Sequence, residues 1–445
     1  MKTDHNILPI AIALGIISYF LGGTVFLFFV FGSIGYCIYT RSSLEDRAFI
    51  IKVLIAGFLL RVLFAVVFHG ANFAKGYHGI SGDDLLYTVK SWALVFKWEG
   101  KPDRWADIIT SASSRFGLNP FTYLMAIFYK IFGFHPVEVK VINCILGSLI
   151  GWVTYLTAAE IFDKRAAKIS MCIVMFWPSL IRWSIANLKD PLIILSFMVC
   201  IYILISALQR KIEIWRYIIF LLSATIIFFF TPQLYFILIA GGAGLLIMFR
   251  ALRSMRSKRI IYLLVAAAAL LVVAGVYYFS YVKPHAFVQL IYKCELNQYT
   301  ISGSDFAGYY FYPGTFVDNL SREIVSLPVF ADIIFKNVVY FMLTPFPWQI
   351  TSPERLLSFP QMMLWYVLLI LSFFGIARLF TRRGPTAFFI SILLGVGVIV
   401  SALAEGNIGS ALRHRDIFTP FFVILASTII SDMIFDKRLS KEGAE

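Results

Sequence analysis

Residues 51–68 read IKVLIAGFLLRVLFAVVF, and residues 81–87 read SGDDLLY. The first stretch is apolar over close to the roughly 20 residues that a helix needs to cross a bilayer. The second sets two adjacent carboxylates, Asp83 and Asp84, just beyond it. Carboxylates at a membrane mouth are costly unless they hold a metal, a cation or a proton in transit. After them, Leu85, Val89, Trp92 and Phe96 share one helical stripe, with Lys90 and Lys97 elsewhere. That is the pattern of a helix half sunk in the membrane interface. A spanning helix, an acidic pair and an interfacial helix together point to an enzyme working at a membrane surface.

The rest of the chain fits this reading. Its 445 residues are 60% hydrophobic and 14% charged, with a mean hydropathy of +0.81, which indicates an all-α polytopic membrane protein. The first apolar run has no small-residue cleavage site followed by a polar region, so it reads as a retained helix. A net charge of +14 favours anionic head groups and phosphate-bearing substrates. The basic residues are scattered between apolar runs, which argues against nucleic acid. Cys37, Cys144, Cys172, Cys200 and Cys294 form neither a disulfide framework nor a zinc spacing.

Short loops rich in Lys and Arg stay in the cytoplasm. Five segments qualify: Lys164, Arg165 and Lys168; Arg210, Lys211 and Arg216; Arg250 to Arg259; Arg378, Arg382 and Arg383; and the C-terminal Lys437, Arg438 and Lys441. Placing all five inside predicts about twelve crossings with both termini cytoplasmic. The expected spans are 6–21, 23–39, 51–68, 138–162, 166–186, 190–208, 215–231, 233–249, 260–281, 360–380, 385–404 and 417–434. The stretch 120–133 is too short to cross, and 328–344 carries Asp332, Lys336 and Asn337, so both read as helices on the outer face. The expected organisation is an N-terminal hairpin and loop (1–50) and a catalytic core (51–281) containing a first outer loop (69–137). An outer loop region (282–359) and C-terminal spanning helices (360–445) complete it.

Two short outer loops break the charge rule, and anion binding is a reason for them to do so. One holds Arg413, His414 and Arg415, whose forks suit phosphate; lipid head groups, Asp416 and Glu405 are alternative partners. The other contains Arg182 and Lys189, followed by Asp190-Pro191. Asp190 reads as a helix N-cap and also as a third carboxylate on the face of Asp83 and Asp84. Arg61 lies inside an apolar span, where a functional role and a buried structural partner are both open.

These residues resemble the GT-C glycosyltransferases, most closely bacterial members akin to family 39, of the protein O-mannosyltransferase and aminoarabinose-transferase type. The resemblance is strongest over about 51–208. It runs through the Ser81–Tyr87 stretch, Asn119 to Leu124, Phe128 to Gly133, Asp163 to Ala167 and Trp177-Pro178-Ser179 to Lys189-Asp190-Pro191. Pro345 to Trp348 and Arg413 to Arg415 look like those of envelope-polysaccharide relatives. The resemblance implies a GT-C-type bundle in a bacterial inner membrane. It implies an inverting transfer of a sugar from a polyprenyl-phosphate donor to a glycan, lipid or protein acceptor at the outer face. Asp83 or Asp84 would act as base, with Asp190 as the second acidic residue, and Lys189, Arg413, His414 and Arg415 would hold the phosphate. Mg²⁺ or Mn²⁺ could bridge Asp83, Asp84 and Asp190. The alternatives are a polymerase or ligase using lipid-diphosphate donors, or a flippase without chemistry, against which stands the lack of an inverted repeat.

Overall fold

The computed structural model describes residues 23–73, 82–101, 120–209, 213–231, 327–350 and 358–442, with short pieces between 234 and 311 and at 356. The expected spans 6–21, 233–249 and 260–281, and most of the region 282–326, lie outside the described residues. The described residues are built on helices: α1 (Thr24–Arg41), α2 (Leu44–Phe73), α3 (Gly82–Trp98), α4 (Pro120–Phe132), α5 (Pro136–Ile161), α6 (Lys164–Met175) and α7 (Pro178–Ser184). They continue with α8 (Asp190–Gln209), α9 (Ile214–Phe230), α10 (Leu327–Leu343), α11 (Phe359–Ala404), α12 (Ile408–Arg415) and α13 (Thr419–Glu442). Five of them are long and apolar enough to cross a membrane, or six if the bent pair α12–α13 is one span. The chain divides into two compact units, 1–202 with 221–232, and 203–220 with 233–445.

In the first unit, α2 and α5 follow the expected spans within a few residues. The span expected at 166–186 is instead broken: α6 ends at Met175 and α7 restarts at Pro178. Proline has no N–H to donate and its ring clashes with the carbonyl one turn back, so it opens a helix better than it continues one. Asp163 starts α6 as an N-cap, accepting from Arg165 N at 2.8 Å and Ala166 N at 2.9 Å. Lys164 and Lys168 pair with Asp46 at 3.2 and 2.6 Å, which sets the N-termini of α2 and α6 at one end of the unit. The C-terminal end of α2 therefore lies at the other end. Gly147 of α5 permits a close approach, since a Cβ there would stand 2.7 Å from Ser184 Cβ.

In α3 the stripe Leu85, Val89, Trp92 and Phe96 is half-buried or exposed, while Asp84, Thr88, Ser91 and Val95 form a buried face. The polar face thus turns inward, and of the apolar stripe Val89 is exposed while Trp92 packs on Tyr129 and Phe134. Against α3 lies α4, joined by ring contacts Tyr87–Phe121 at 5.8 Å and Trp92–Tyr129 at 6.4 Å. Leu124, Ile127 and Ile131 of α4 face outward.

In the second unit, α11 runs 46 residues but loses helical geometry at Arg383 (φ −144°, ψ 63°), just before Pro385. Gly375 lies against the Leu425 backbone and Gly397 against the Phe418 ring. On a straight helix the two glycines would stand ~33 Å apart, whereas Phe418 and Leu425 are separated by only ~10 Å of helix rise. The two arms must fold back on each other, which recovers the expected spans 360–380 and 385–404. Helix α10 has 17 residues, with Asp332 and Lys336 paired at 2.6 Å on its exposed side and Asn337 buried.

Candidate functional site

The acidic pair opens α3, where two carboxylates in the first turn complement the positive end of the helix dipole. Successive helical residues point about 100° apart, so the two aspartates do not share a setting. Asp83 is half-buried. Asp84 is fully buried, contrary to the expectation that both would sit in a water-accessible mouth. Its Oδ2 accepts from Lys140 Nζ at 3.2 Å, and both side chains are 0% exposed. Its Oδ1 accepts from the Asn187 backbone N–H at 3.1 Å.

The same region holds the turn between α7 and α8. Asn187 Nδ2 donates to Thr88 Oγ1 at 2.9 Å, and Thr88 Oγ1 donates to the Asp84 carbonyl at 2.8 Å. From α5, Asn143 Nδ2 donates to the Ala186 and Leu188 carbonyls at 2.7 and 2.9 Å. Lys189 and Asp190 follow this turn directly. Helix α8 begins at Asp190, and Ile193 N bonds the Lys189 carbonyl at 3.1 Å, so Asp190 stands one position inside the expected N-cap. Asp190 is buried and Lys189 half-buried. The structure thus brings Asp84 and the turn leading to Lys189 and Asp190 together within the first unit.

Lys140, Asn143 and Thr88 were missed by sequence reasoning. Their signal was present: Lys140 and Asn143 are polar residues inside an apolar span, the feature that singled out Arg61. Arg61 is itself buried in structural company. Its Nε donates to Ser184 Oγ and its Nη1 to the Gly57 carbonyl, both at 3.0 Å.

The basic trio belongs to the second unit and occupies the last turn of α12. Cations are favoured there by the helix dipole. Arg415 is 1% exposed; its Nη1 donates to the Met342 and Thr344 carbonyls at 2.8 Å each, and its guanidinium lies 4.9 Å over the Trp365 ring. Its Nη1 therefore caps the carbonyl end of α10. Arg413 and His414 are half-buried. His414 Nδ1 meets Glu405 Oε1, and Ser410 Oγ donates to Glu405 Oε2. Burial pushes the Glu405 pKa up, but His414, Ser410 and Arg413 outweigh it and hold the carboxyl below its ordinary value.

Among the described residues, no group of three or more His, Cys, Asp or Glu side chains is placed to hold a metal ion. The oxygens of Asp84 are engaged by an ammonium and an amide, which suits a structural carboxylate better than a metal ligand.

Residues 120–279 match the family described as dolichyl-phosphate-mannose-protein mannosyltransferase. Searches of curated proteins and of solved structures find no match. The matched segment begins at α4 and includes α5, the turn before Asp190 and α8, which meet α3 in the polar cluster; α3 itself, with Asp83, Asp84 and Thr88, precedes the match. The match spans about a third of a chain whose described residues are mostly helical, with membrane-length helices among them, and it shows a similarity to that glycosyltransferase family.

Proposed function

We propose that the chain is an inverting glycosyltransferase that moves a sugar from polyprenyl phosphate to a hydroxyl of an envelope glycan, lipid or protein at the outer face of the membrane. The observation that carries the reading is the different setting of the two aspartates within a chain that matches a sugar-phosphate-dependent family. Asp84 is fully buried against Lys140 and Asn187 and Asp83 is half-buried, so Asp83 is the more exposed carboxylate and the proposed base.

Asp83 takes the proton of the acceptor hydroxyl as that oxygen attacks the anomeric carbon. The bond from the acceptor oxygen to carbon forms on the face opposite the departing phosphate, and the carbon–phosphate-oxygen bond breaks. One displacement inverts the anomeric centre, because no glycosyl-enzyme intermediate intervenes. Polyprenyl phosphate leaves with the bonding electrons. Lys189, beside Asp190, is the proposed cation for that charge; the donor-binding role that the resemblance gives Arg413 is a separate proposal, read from donor KM. The reading requires no metal. A dependence on Mg²⁺ or Mn²⁺ is a separate proposal, read from turnover with and without chelator.

The test uses purified full-length protein with polyprenyl-phosphate mannose as the probe donor. Asp83→Asn is expected to cut turnover by about 10²–10⁴-fold, the usual loss for a general base, with thermal stability unchanged. Full turnover by Asp83→Asn would refute the assignment.

A further inference from the structure

We infer that Lys140 and Asn143 of α5 are positioning residues, which clamp the α7–α8 turn so that Lys189 and Asp190 are held in a preset place. The kinetic part of this inference rests on the functional reading above; the structural part does not.

The turn has little regular structure of its own. Between the end of α7 at Ser184 and the start of α8 at Asp190, the bond from Leu188 N to the Ala186 carbonyl, at 2.9 Å, is its main internal tie. Yet Ala186, Asn187 and Leu188 are all buried. Buried peptide groups need partners, and here side chains from two other helices supply them. Asn143 satisfies the carbonyls of residues 186 and 188 with its single amide nitrogen. Asp84 satisfies the amide of residue 187, and Thr88 takes that residue's side chain. Lys140 places an ammonium beside the Asp84 carboxyl in a site where neither side chain is exposed.

The arrangement on α5 is periodic. Lys140, Asn143, Cys144 and Gly147 fall at helical spacing on one face. Each meets this region: Lys140 through Asp84, Asn143 at residues 186 and 188, Cys144 Sγ at the Ser184 carbonyl (3.5 Å), and Gly147 against Ser184 itself. A face that only filled space would be apolar. This one donates hydrogen bonds to backbone that immediately precedes two charged residues. Neither Lys140 nor Asn143 reaches a substrate in this account, since both are buried; each acts through the turn.

The experiment compares full-length wild type with Asn143→Ala in detergent. Hydrogen–deuterium exchange is followed by mass spectrometry over residues 184–191, and turnover is measured with polyprenyl-phosphate mannose per mole of monodisperse protein. Losing two hydrogen bonds to buried carbonyls is expected to speed exchange at 187 and 188 by at least about tenfold. Loss of register is expected to lower kcat by about 10- to 100-fold with donor KM unchanged. Thr88→Val, which keeps the side chain's shape, is expected to shift both readouts the same way and less, and decides the matter if Asn143→Ala is not recovered folded. Wild-type exchange over the turn in these variants would overturn the clamp. Faster exchange with wild-type kcat would overturn the positioning role, as a purely structural contact gives that result. A wild-type protein that turns over no polyprenyl-phosphate sugar counts against the functional reading alone, and the exchange comparison then decides the clamp.

Discussion

Replacing Lys140 by Met should strand the Asp84 carboxylate in a site without water. The two charges lie 3.2 Å apart with neither side chain exposed. At an effective dielectric constant of about 20, their attraction is ~5 kcal/mol. Removing one member of a buried pair typically costs about 3–5 kcal/mol, because the remaining charge keeps its desolvation penalty and loses its partner. Asp84→Asn should cost a similar amount by stranding the ammonium, although Asn can still accept from Asn187 N–H. The double variant Asp84→Asn/Lys140→Met removes both charges, so most of the loss should return. With single losses of about 3–5 kcal/mol each and most of that recovered in the double variant, the double-mutant cycle gives a coupling of about 5–8 kcal/mol. Thermal unfolding can be followed with a thiol-reactive dye, since Cys144 and Cys200 are buried and label only on opening. Additive single losses would refute the pair as described. The same cycle divides the two aspartates chemically. If Asp84 were the base, the double variant would be stable and inactive. If Asp83 is the base, the double variant should keep turnover within about tenfold of wild type, since the amide at position 84 still accepts from Asn187 N–H and Asn143 still holds the turn.

The two flanking arginines of α12 should separate. Arg415→Ala removes charge-assisted bonds to two carbonyls, each worth about 1.5–3 kcal/mol, and should lower the unfolding midpoint with donor KM unchanged. Arg413→Ala should raise donor KM with the midpoint nearly unchanged; the reverse pattern would return the phosphate role to Arg415. Glu405 should show a pH signature. Its folded pKa lies below the ordinary value of 4.5, so its contribution is present in full above that value and is lost as pH falls through the folded pKa. Glu405→Gln should therefore lower the midpoint at pH 7, and the difference from wild type should shrink below about pH 4.5; a difference constant with pH would refute the pairing.

The spanning helices were legible because a bilayer imposes length and apolarity on any segment that crosses it. Residues 44–73, 136–161 and 190–209 needed no tertiary information. The break at Pro178 was also written in the sequence but was outweighed by the apolar run around it. What could not be read is burial set by distant contacts. Lys140 and Asp84 are 56 positions apart, and no local pattern joins them. Arg415 sits in a short loop, where an orientation rule treats it as a surface charge. Only the placement of α10's last carbonyls, some 70 residues earlier in the chain, reveals a buried cap.

The acidic pair shows how one short string can hold two tasks. On a strand or an extended loop, neighbouring aspartates would point to opposite sides with little to decide which side is buried. On a helix, Asp84 is grouped with Thr88, Ser91 and Val95 by the i, i+4, i+7, i+11 repeat, and that set forms the buried face of α3. Asp83 is grouped instead with Tyr87, and both are half-buried. Burying a carboxylate on that face is tolerable only where a cation waits for it, and Lys140 lies one turn inside α5 at that level. The assignment of one aspartate to structure therefore follows from the helix repeat together with a single lysine in an otherwise apolar span. Asp83, displaced by one residue, lies off that buried face and half-buried, which is why it is the aspartate proposed as the base.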